Sequence, residues 1–172
     1  HLTSRQFAER MIPVIASIQP FASRFEVHSE PDAPSPDSAW GPTEQHAASF
    51  GEWFLRVYDL LKAAHPWAQL GFPGLHDYIQ RNRHWLDICR PAIERADWLG
   101  VHAYWQSGPE GESEMLDPDY GLAFRTYHEL FPEKRIEITE FGGTLAEDAP
   151  FSEERMAGEM VAYYQALYKY GY

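Results

Sequence analysis

Two glutamates stand at the ends of short, apolar-rich runs that lie far apart in the chain. Glu30 ends the first run and is followed directly by a proline, and Glu140 ends the second run just before Phe141 and Gly142. A run that breaks in this way is typical of a buried strand, and reactive side chains collect where parallel strands end at their carboxyl edge. Two carboxylates brought together at such an edge could cleave a glycosidic bond.

The elements that must position these glutamates follow from the spacing of apolar residues. Stripes at i, i+4, i+7 and i+11 predict helices, as in Phe7, Met11, Val14, Ile18 and in Phe50, Phe54, Val57, Leu61. Short apolar runs predict strands over residues 25–29, 68–72, 98–103 and 136–139. Helices and strands therefore alternate along a single domain, residues 1–172, which favours a parallel sheet with right-handed crossovers.

Three motifs carry a resemblance to a known superfamily. Residues 26–31 read Glu-Val-His-Ser-Glu-Pro and resemble the strand-four motif E-V-W-N-E-P of the retaining (β/α)8-barrel glycoside hydrolases (clan A, cellulase- or xylosidase-like). Residues 138–142 resemble their strand-seven motif T-E-F-G, and residues 97–104 resemble strand six, where a His-x-Tyr pair is common. The resemblance implies an α/β fold that is a partial (β/α)8 TIM barrel, with strands four to seven and flanking helices, since a full barrel needs about 250 residues.

Roles for the two glutamates come from this resemblance. It implies a retaining glycosidase that works by double displacement without a cofactor or metal, with Glu30 as the acid/base and Glu140 as the nucleophile. Glu26 and Glu137 are neighbouring competitors. Glu26 is expected to point to the same face of its strand as Glu30, but farther from the carboxyl end of the barrel. Glu137 precedes Glu140 by three residues, so alternation along a strand points the two side chains to opposite faces. We therefore expect Glu137 to face the helices.

Several residues of the motifs are candidate substrate contacts. Ser29 stands where the family has an asparagine that bonds the sugar 2-hydroxyl, and His28 replaces the usual tryptophan. Tyr104 is a candidate to hydrogen-bond the nucleophile, and His102 is a candidate substrate contact. Each of the last two could equally be a packed core residue.

Two tryptophans beside predicted loops are further candidates for substrate binding. Trp40 lies in the proline-rich run 31–42 and is either a sugar-stacking platform or an anchor packed on the barrel rim. Trp105 directly precedes a second predicted loop, residues 106–118, and is another candidate platform.

Two other functions stay open. A non-catalytic carbohydrate-binding relative could share the scaffold, because fold does not fix function, and Ser29 favours this alternative. A metal-dependent TIM-barrel hydrolase could use His28, Glu30 and His102 as ligands, but this trio lacks an established ligand spacing.

Composition restricts the partners. The chain has 14 basic and 26 acidic residues, a net charge of −12, which argues against binding to nucleic acid or to an anionic membrane surface. We therefore expect a carbohydrate substrate as the main partner. Because four strands cut from a barrel would expose two edges and an apolar inner face, we also expect a second copy or the missing barrel half.

The ends of the chain suggest a piece of a longer sequence. The chain begins at His1 and has neither an initial methionine nor a signal peptide. Its localisation is therefore not predicted, although proteins of the resembling superfamily are often secreted. The single Cys89 permits no internal disulfide.

Overall fold

The computed structural model of the chain describes residues 2–34, 40–76, 79–107, 113–145 and 153–171. Within these ranges helices and strands alternate in the following order: α1 (Ser4–Ile18), β1 (Arg24–Glu26), α2 (Glu44–Ala64), β2 (Gln69–Phe72), α3 (Ile79–Ile88), α4 (Arg90–Arg95), β3 (Trp98–Ser107), a 3-10 helix (Glu114–Leu116), α5 (Ala123–Leu130), β4 (Ile136–Leu145) and α6 (Glu153–Lys169).

A side-chain cap explains the start of α1, and an apolar stripe explains the packing of α2. In α1 the buried residues are Ala8 and Ile15, whereas Val14 of the predicted stripe is 45% exposed. Thr3 caps α1: its hydroxyl accepts from the backbone N–H of Gln6, and the Gln6 side chain accepts from the backbone N–H of Thr3. Pro13 lies inside α1 and does not end it, since the helix continues to Ile18. The predicted stripe of α2 is buried, as its four members show: Phe50, Phe54, Val57 and Leu61.

The four strands form one parallel sheet in the order β1-β2-β3-β4. At least one helix lies in each connection between neighbouring strands, as the predicted alternation requires. The outer face of the sheet packs against these helices and is fully buried at Leu70, Phe72, Leu99 and Val101. The fold class is therefore α/β with parallel strands, as predicted.

Side chains of the two edge strands meet, which means that the sheet is curled. Arg24 of β1 places Nη1 3.3 Å from Oε1 of Glu137 in β4. The Thr139 hydroxyl of β4 donates to Oε1 of Glu26 in β1 at 3.0 Å. In a flat sheet these two strands would lie about 14 Å apart, three times the usual strand spacing. The structure is therefore a partial barrel.

A β-bulge in β4 changes which of its side chains face the barrel interior. Ile138 and Glu140 lie opposite consecutive residues of β3, so that Thr139 is the extra residue. Thr139 and Glu140 therefore both reach interior partners. Glu137 also lies inside, where it pairs with Arg24. The prediction that Glu137 faces the helices is wrong, because it assumed an uninterrupted alternation of side chains along β4.

The inner face of the curled sheet is polar, and the expectation of a bare apolar inner face is wrong. Across the interior Arg24 pairs with Glu137 and His102 lies 3.8 Å from Glu26, and Tyr104 donates to Glu140. Large exposed apolar side chains lie instead on the outer helices and after α1: Val14, Phe21, Val161, Tyr164 and Tyr168. A second copy or a missing barrel half stays a prediction.

Several element boundaries differ from the prediction. β1 stops at Glu26, so residues 27–30 follow the strand, whereas β3 continues to Ser107 and β4 to Leu145. The helix predicted near Trp85 is divided into α3 and α4, with Pro91 in the first turn of α4. Parts of the two predicted loops, 31–42 and 106–118, lie outside the described residues.

No helix in the described part of the chain is long and apolar enough to cross a membrane.

Candidate active site

Glu30 lies beyond the carboxyl end of β1 on a constrained stretch of backbone. Glu30 has φ 45° and His28 has φ 89°, a left-handed region that side-chain-bearing residues rarely occupy. The N–H of Glu30 donates to the carbonyl of Gly74, beyond the carboxyl end of β2, at 3.2 Å. Such conformations persist only where the surroundings impose them, and they cluster at functional sites.

The Glu30 carboxyl is held between two imidazole rings. Nδ1 of His102 lies 2.9 Å from Oε1, and Nδ1 of His76 lies 2.9 Å from Oε2. An ionised carboxylate only accepts hydrogen bonds, so both nitrogens donate to it. The hydrogen bond from His102 is the main reason that the pKa of Glu30 is lowered, against the opposing effect of burial, and His76 adds to the lowering.

Glu140 projects into the same space from the bulge of β4. The Tyr104 hydroxyl donates to its Oε2 at 2.8 Å. Burial, reinforced by the hydrogen bond to Glu140 and its charge, raises the pKa of Tyr104 to about 12. Tyr104 therefore keeps its proton at neutral pH and acts as a donor that orients Glu140.

His102 connects the two carboxyls. Its Nδ1 is bound to Glu30, and its Nε2 lies 3.5 Å from Oε1 of Glu140 and 3.8 Å from Oε1 of Glu26. Nε2 is buried and makes no hydrogen bond among the described residues. Burial disfavours the charged ring, but the hydrogen bond with Glu30 and the charges of all three glutamates outweigh it and raise the pKa of His102. The ring can therefore carry positive charge between the carboxylates.

Two glycines make room for this cluster. A Cβ on Gly74 would lie 2.2 Å from Cδ2 of His102, and a Cβ on Gly100 would lie 2.5 Å from Oε1 of Glu26. The N–H of Gly74 also donates to Glu26 at 2.8 Å. Gly74 thus contacts Glu26, Glu30 and His102 at once, which only a residue without a side chain can do.

Three of these groups are close enough to be weighed as metal ligands. Candidate ligand atoms of Glu30, His102 and Glu140 lie within 4.8 Å of one another. His28, a member of the predicted metal-binding trio, does not join them: its Nδ1 lies 2.7 Å from the carbonyl of Ser29. Nδ1 of His102 is already hydrogen-bonded to Glu30, and we assign no metal ligands.

Three further residues were predicted as substrate contacts: Trp40, His28 and Ser29. The ring of Trp40 meets the ring of His28 edge-on at 5.4 Å and also packs on Phe50 and Trp53. These contacts are those of a packing anchor. Burial lowers the pKa of His28, against the effect of its hydrogen bond with Ser29, so the ring is neutral at pH 7. The Ser29 side chain is exposed.

Trp105 is not a sugar-stacking platform, and that prediction is wrong. β3 runs past it to Ser107, so Trp105 points to the opposite side of the sheet from Tyr104. It is fully buried, donates to Oε2 of Glu159 in α6 at 2.9 Å and packs on the ring of Tyr163. The error came from ending the strand too early.

His76 is a residue of the site that was not predicted from the sequence. It follows the predicted strand 68–72 after a Pro-Gly pair, which places it at the same carboxyl edge that drew attention to Glu30. The rule that reactive side chains collect at the carboxyl edge of parallel strands therefore also predicts His76. No pattern in the sequence predicts the hydrogen bond from Thr139 to Glu26, because that contact depends on the bulge in β4.

Comparisons with known proteins identify the fold. No family model matches the chain, and no curated protein matches it. Solved structures do: the beta-glycosidase BGL167 has a TM-score of 0.64 and is 16% identical, covering 96% of this chain and 53% of that one. BuGH86, as wild type and as a variant, each in complex with neoagarooctaose, has a TM-score of 0.58 and 14% identity, covering 86% of this chain and 26% of that one.

This chain has a glycoside hydrolase-like fold. It spans between about a quarter and a half of the length of the structures that it resembles. At these identities the likeness concerns the fold alone.

Proposed function

We propose that this chain carries the catalytic pair of a retaining glycosidase, with Glu30 as acid/base and Glu140 as nucleophile on strands four and seven of a clan A barrel. The observation that carries the proposal is their separation: one oxygen of Glu30 and one of Glu140 lie within 4.8 Å of each other. Retaining enzymes place these carboxyls about 5–5.5 Å apart, and inverting enzymes about 6.5–9.5 Å apart. An oxygen–oxygen approach this close suits the shorter, retaining separation better than the longer one.

The contacts of the two carboxyls suit a double displacement. Tyr104 holds Oε2 of Glu140, which leaves Oε1 to bond the anomeric carbon. As that bond forms, the bond from the anomeric carbon to the leaving oxygen breaks, and the leaving oxygen takes a proton from Glu30. In the second step Glu30 takes a proton from water, whose oxygen replaces Glu140 at the anomeric carbon.

The electrostatics of the free site favour the base form of Glu30. Because hydrogen bonds from His102 and His76 lower the pKa of Glu30, it is ionised at neutral pH. A positive charge on His102 would offset the repulsion between Glu30 and Glu140. The second step needs ionised Glu30, whereas the first needs the proton in place, so we expect turnover to be fastest in acid.

A carbohydrate is the substrate class that we propose. The BuGH86 structures hold neoagarooctaose, and they share this fold. Non-catalytic carbohydrate binding is the second candidate, and the observation in its favour is Ser29, an exposed serine where the resembling superfamily has asparagine.

Covalent trapping separates these candidates. We would treat the purified protein with a panel of 2-deoxy-2-fluoro glycosides that carry a 2,4-dinitrophenyl group. Mass spectrometry and peptide mapping are expected to find one sugar bound to Glu140. The fluorine slows both steps, but the activated leaving group speeds the first, so the covalent intermediate accumulates. A label on another carboxyl, or sugar binding by calorimetry without any label, would contradict the proposed role of Glu140.

Two variants separate the roles of the carboxyls. Glu140→Gln is expected to abolish labelling and turnover, whereas Glu30→Ala is expected to keep labelling and to regain turnover with added azide. The rescue occurs because azide needs no general base to attack the covalent intermediate. Glu133→Gln, a change at an exposed position, serves as the matched control. Equal and unrescued losses in both site variants would argue against separate roles.

A further inference from the structure

We infer that His76 is a positioning residue for Glu30, and that Oε2, the oxygen held by His76, is the one that meets the leaving group. This inference rests on the proposed function, because it concerns how Glu30 acts as acid/base. Its starting point is the 2.9 Å contact between Nδ1 of His76 and Oε2 of Glu30. His76 lies in the loop after β2, beside the loop that carries Glu30.

The two loops are cross-linked, so the contact is not a chance meeting of surface side chains. The backbone N–H of His76 donates to Oδ1 of Asp32 at 2.8 Å, and Asp32 is only 1% exposed. The side-chain amide of Asn82 donates to Oδ2 of Asp32 at 2.7 Å. The N–H of Glu30 also donates to the carbonyl of Gly74. Together these hydrogen bonds fix the position of the His76 backbone relative to the Glu30 backbone.

The two oxygens of Glu30 face different surroundings. Oε1 is bound to His102, whose side chain is 0% exposed and projects from the middle of β3. Oε2 is bound to His76, whose side chain is 48% exposed. A leaving group of substrate size can reach Oε2 from the open side but cannot displace the buried ring of His102. The leaving group should therefore lie beside the loop after β2.

His76 can also serve both forms of Glu30. Its Nδ1 donates to the ionised carboxylate, and it can accept from a protonated Oε2 once the ring proton moves to Nε2, because the exposed ring exchanges protons with water. His102 cannot do this as readily, since its Nε2 is buried between Glu140 and Glu26. His76 thus keeps Glu30 oriented through the loss and return of its proton.

The charged groups around this pair predict how Glu30 responds to the loss of His76. His102 faces Oε1 from β3, with Glu140 and Glu26 behind it, and Asp32 binds the backbone of His76. The hydrogen bond from His102 lowers the pKa of Glu30 most, and the hydrogen bond and charge of His76 lower it further. Removing His76 should raise the pKa of Glu30 and leave the effect of His102 in place.

The leaving-group dependence of turnover tests this role. We would measure kcat/KM against pH for a phenyl and a 2,4-dinitrophenyl glycoside of the same sugar. His76→Ala is expected to lose up to about 100-fold on the phenyl substrate, which needs the acid, and little on the activated one. For the phenyl glycoside, the pH at which kcat/KM falls on the alkaline side of its pH profile should move to a higher value. Equal losses on both substrates with an unmoved limb, or no loss at all, would overturn the inference.

Two further variants refine the test. His76→Asn keeps an N–H donor near Oε2 without an imidazole ring, so it is expected to restore part of the loss on the phenyl substrate. His128→Ala removes an exposed histidine of α5 and should change neither the ratio of the two substrates nor the pH limb. Thermal melts of all variants check that each remains folded.

A readout independent of turnover separates this inference from the proposed function. The carboxyl carbon of Glu30 can be titrated by NMR in the protein and in His76→Ala. An upward move of its midpoint in the variant supports the contact, and an unmoved midpoint overturns it. If the midpoint moves but no form of the protein cleaves or is labelled by any glycoside, the proposed function fails while the His76–Glu30 relationship holds.

Discussion

The Tyr104 hydroxyl donates to Oε2 of Glu140 over 2.8 Å, between side chains of the adjacent strands β3 and β4. The bulge at Thr139 makes this possible, because it places Glu140 opposite His102 and on the interior side of the sheet. One oxygen of Glu140 is thus fixed by a phenol that stays protonated, and the other lies 3.5 Å from His102.

Tyr104→Phe is expected to reduce kcat/KM by about tenfold or more, since a hydrogen bond to a charged group contributes roughly 1.5–3 kcal/mol and Glu140 is partly exposed. Steady-state rates on an aryl glycoside measure the effect. Tyr168→Phe, at a side chain that is 87% exposed, is the matched control. Rates that are unchanged in Tyr104→Phe would mean that Glu140 needs no orientation from this hydroxyl.

The pH dependence of kcat/KM should show an acid optimum. In the proposed mechanism the first step requires protonated Glu30. The pKa of Glu30 lies below its ordinary value of 4.5, chiefly because of the hydrogen bond from His102. The protonated fraction therefore falls as pH rises through that lowered pKa, and kcat/KM falls with it. A profile that is flat from acid to neutral pH would show that Glu30 does not deliver the proton.

Gly74→Ala is expected to destabilise the protein by about 1–3 kcal/mol, the usual cost of overpacking, because the new Cβ would overlap the ring of His102. Urea unfolding measures the change in the free energy of unfolding. Gly158→Ala in α6 is the control: its Cβ would meet no atom within 4 Å, and it should stabilise the helix by roughly 0.5–1 kcal/mol. Similar stabilities of the two variants would contradict the close packing around Gly74.

Ser29→Asn tests the departure from the resembling superfamily. If the missing amide weakens binding of the sugar 2-hydroxyl, the change should raise kcat/KM by a factor that corresponds to about 1–3 kcal/mol. The exposed position of Ser29 leaves room for the larger side chain. An unchanged or lower kcat/KM would mean that the site is adapted to serine.

Local residue patterns were enough to predict the main features of the fold. The stripe from Phe50 to Leu61 predicted a helix, and the alternation of such stripes with short apolar runs predicted the parallel sheet. The same reasoning placed Glu30 and Glu140 at one edge, since parallel strands end on the same side. These predictions succeeded because helix and strand periodicity depend on neighbours in the chain.

Contacts between distant segments determined the rest. The bulge at Thr139 turned Glu137 inward, against the uninterrupted alternation that was predicted. The continuation of β3 buried Trp105, which was predicted to lie beside a loop. His76 reached Glu30 only because two loops that lie 46 residues apart in the chain meet beyond the sheet. Strand length, bulge position and loop pairing are set by which segments pack together, so they depend on free-energy differences between whole folds that a local pattern does not contain.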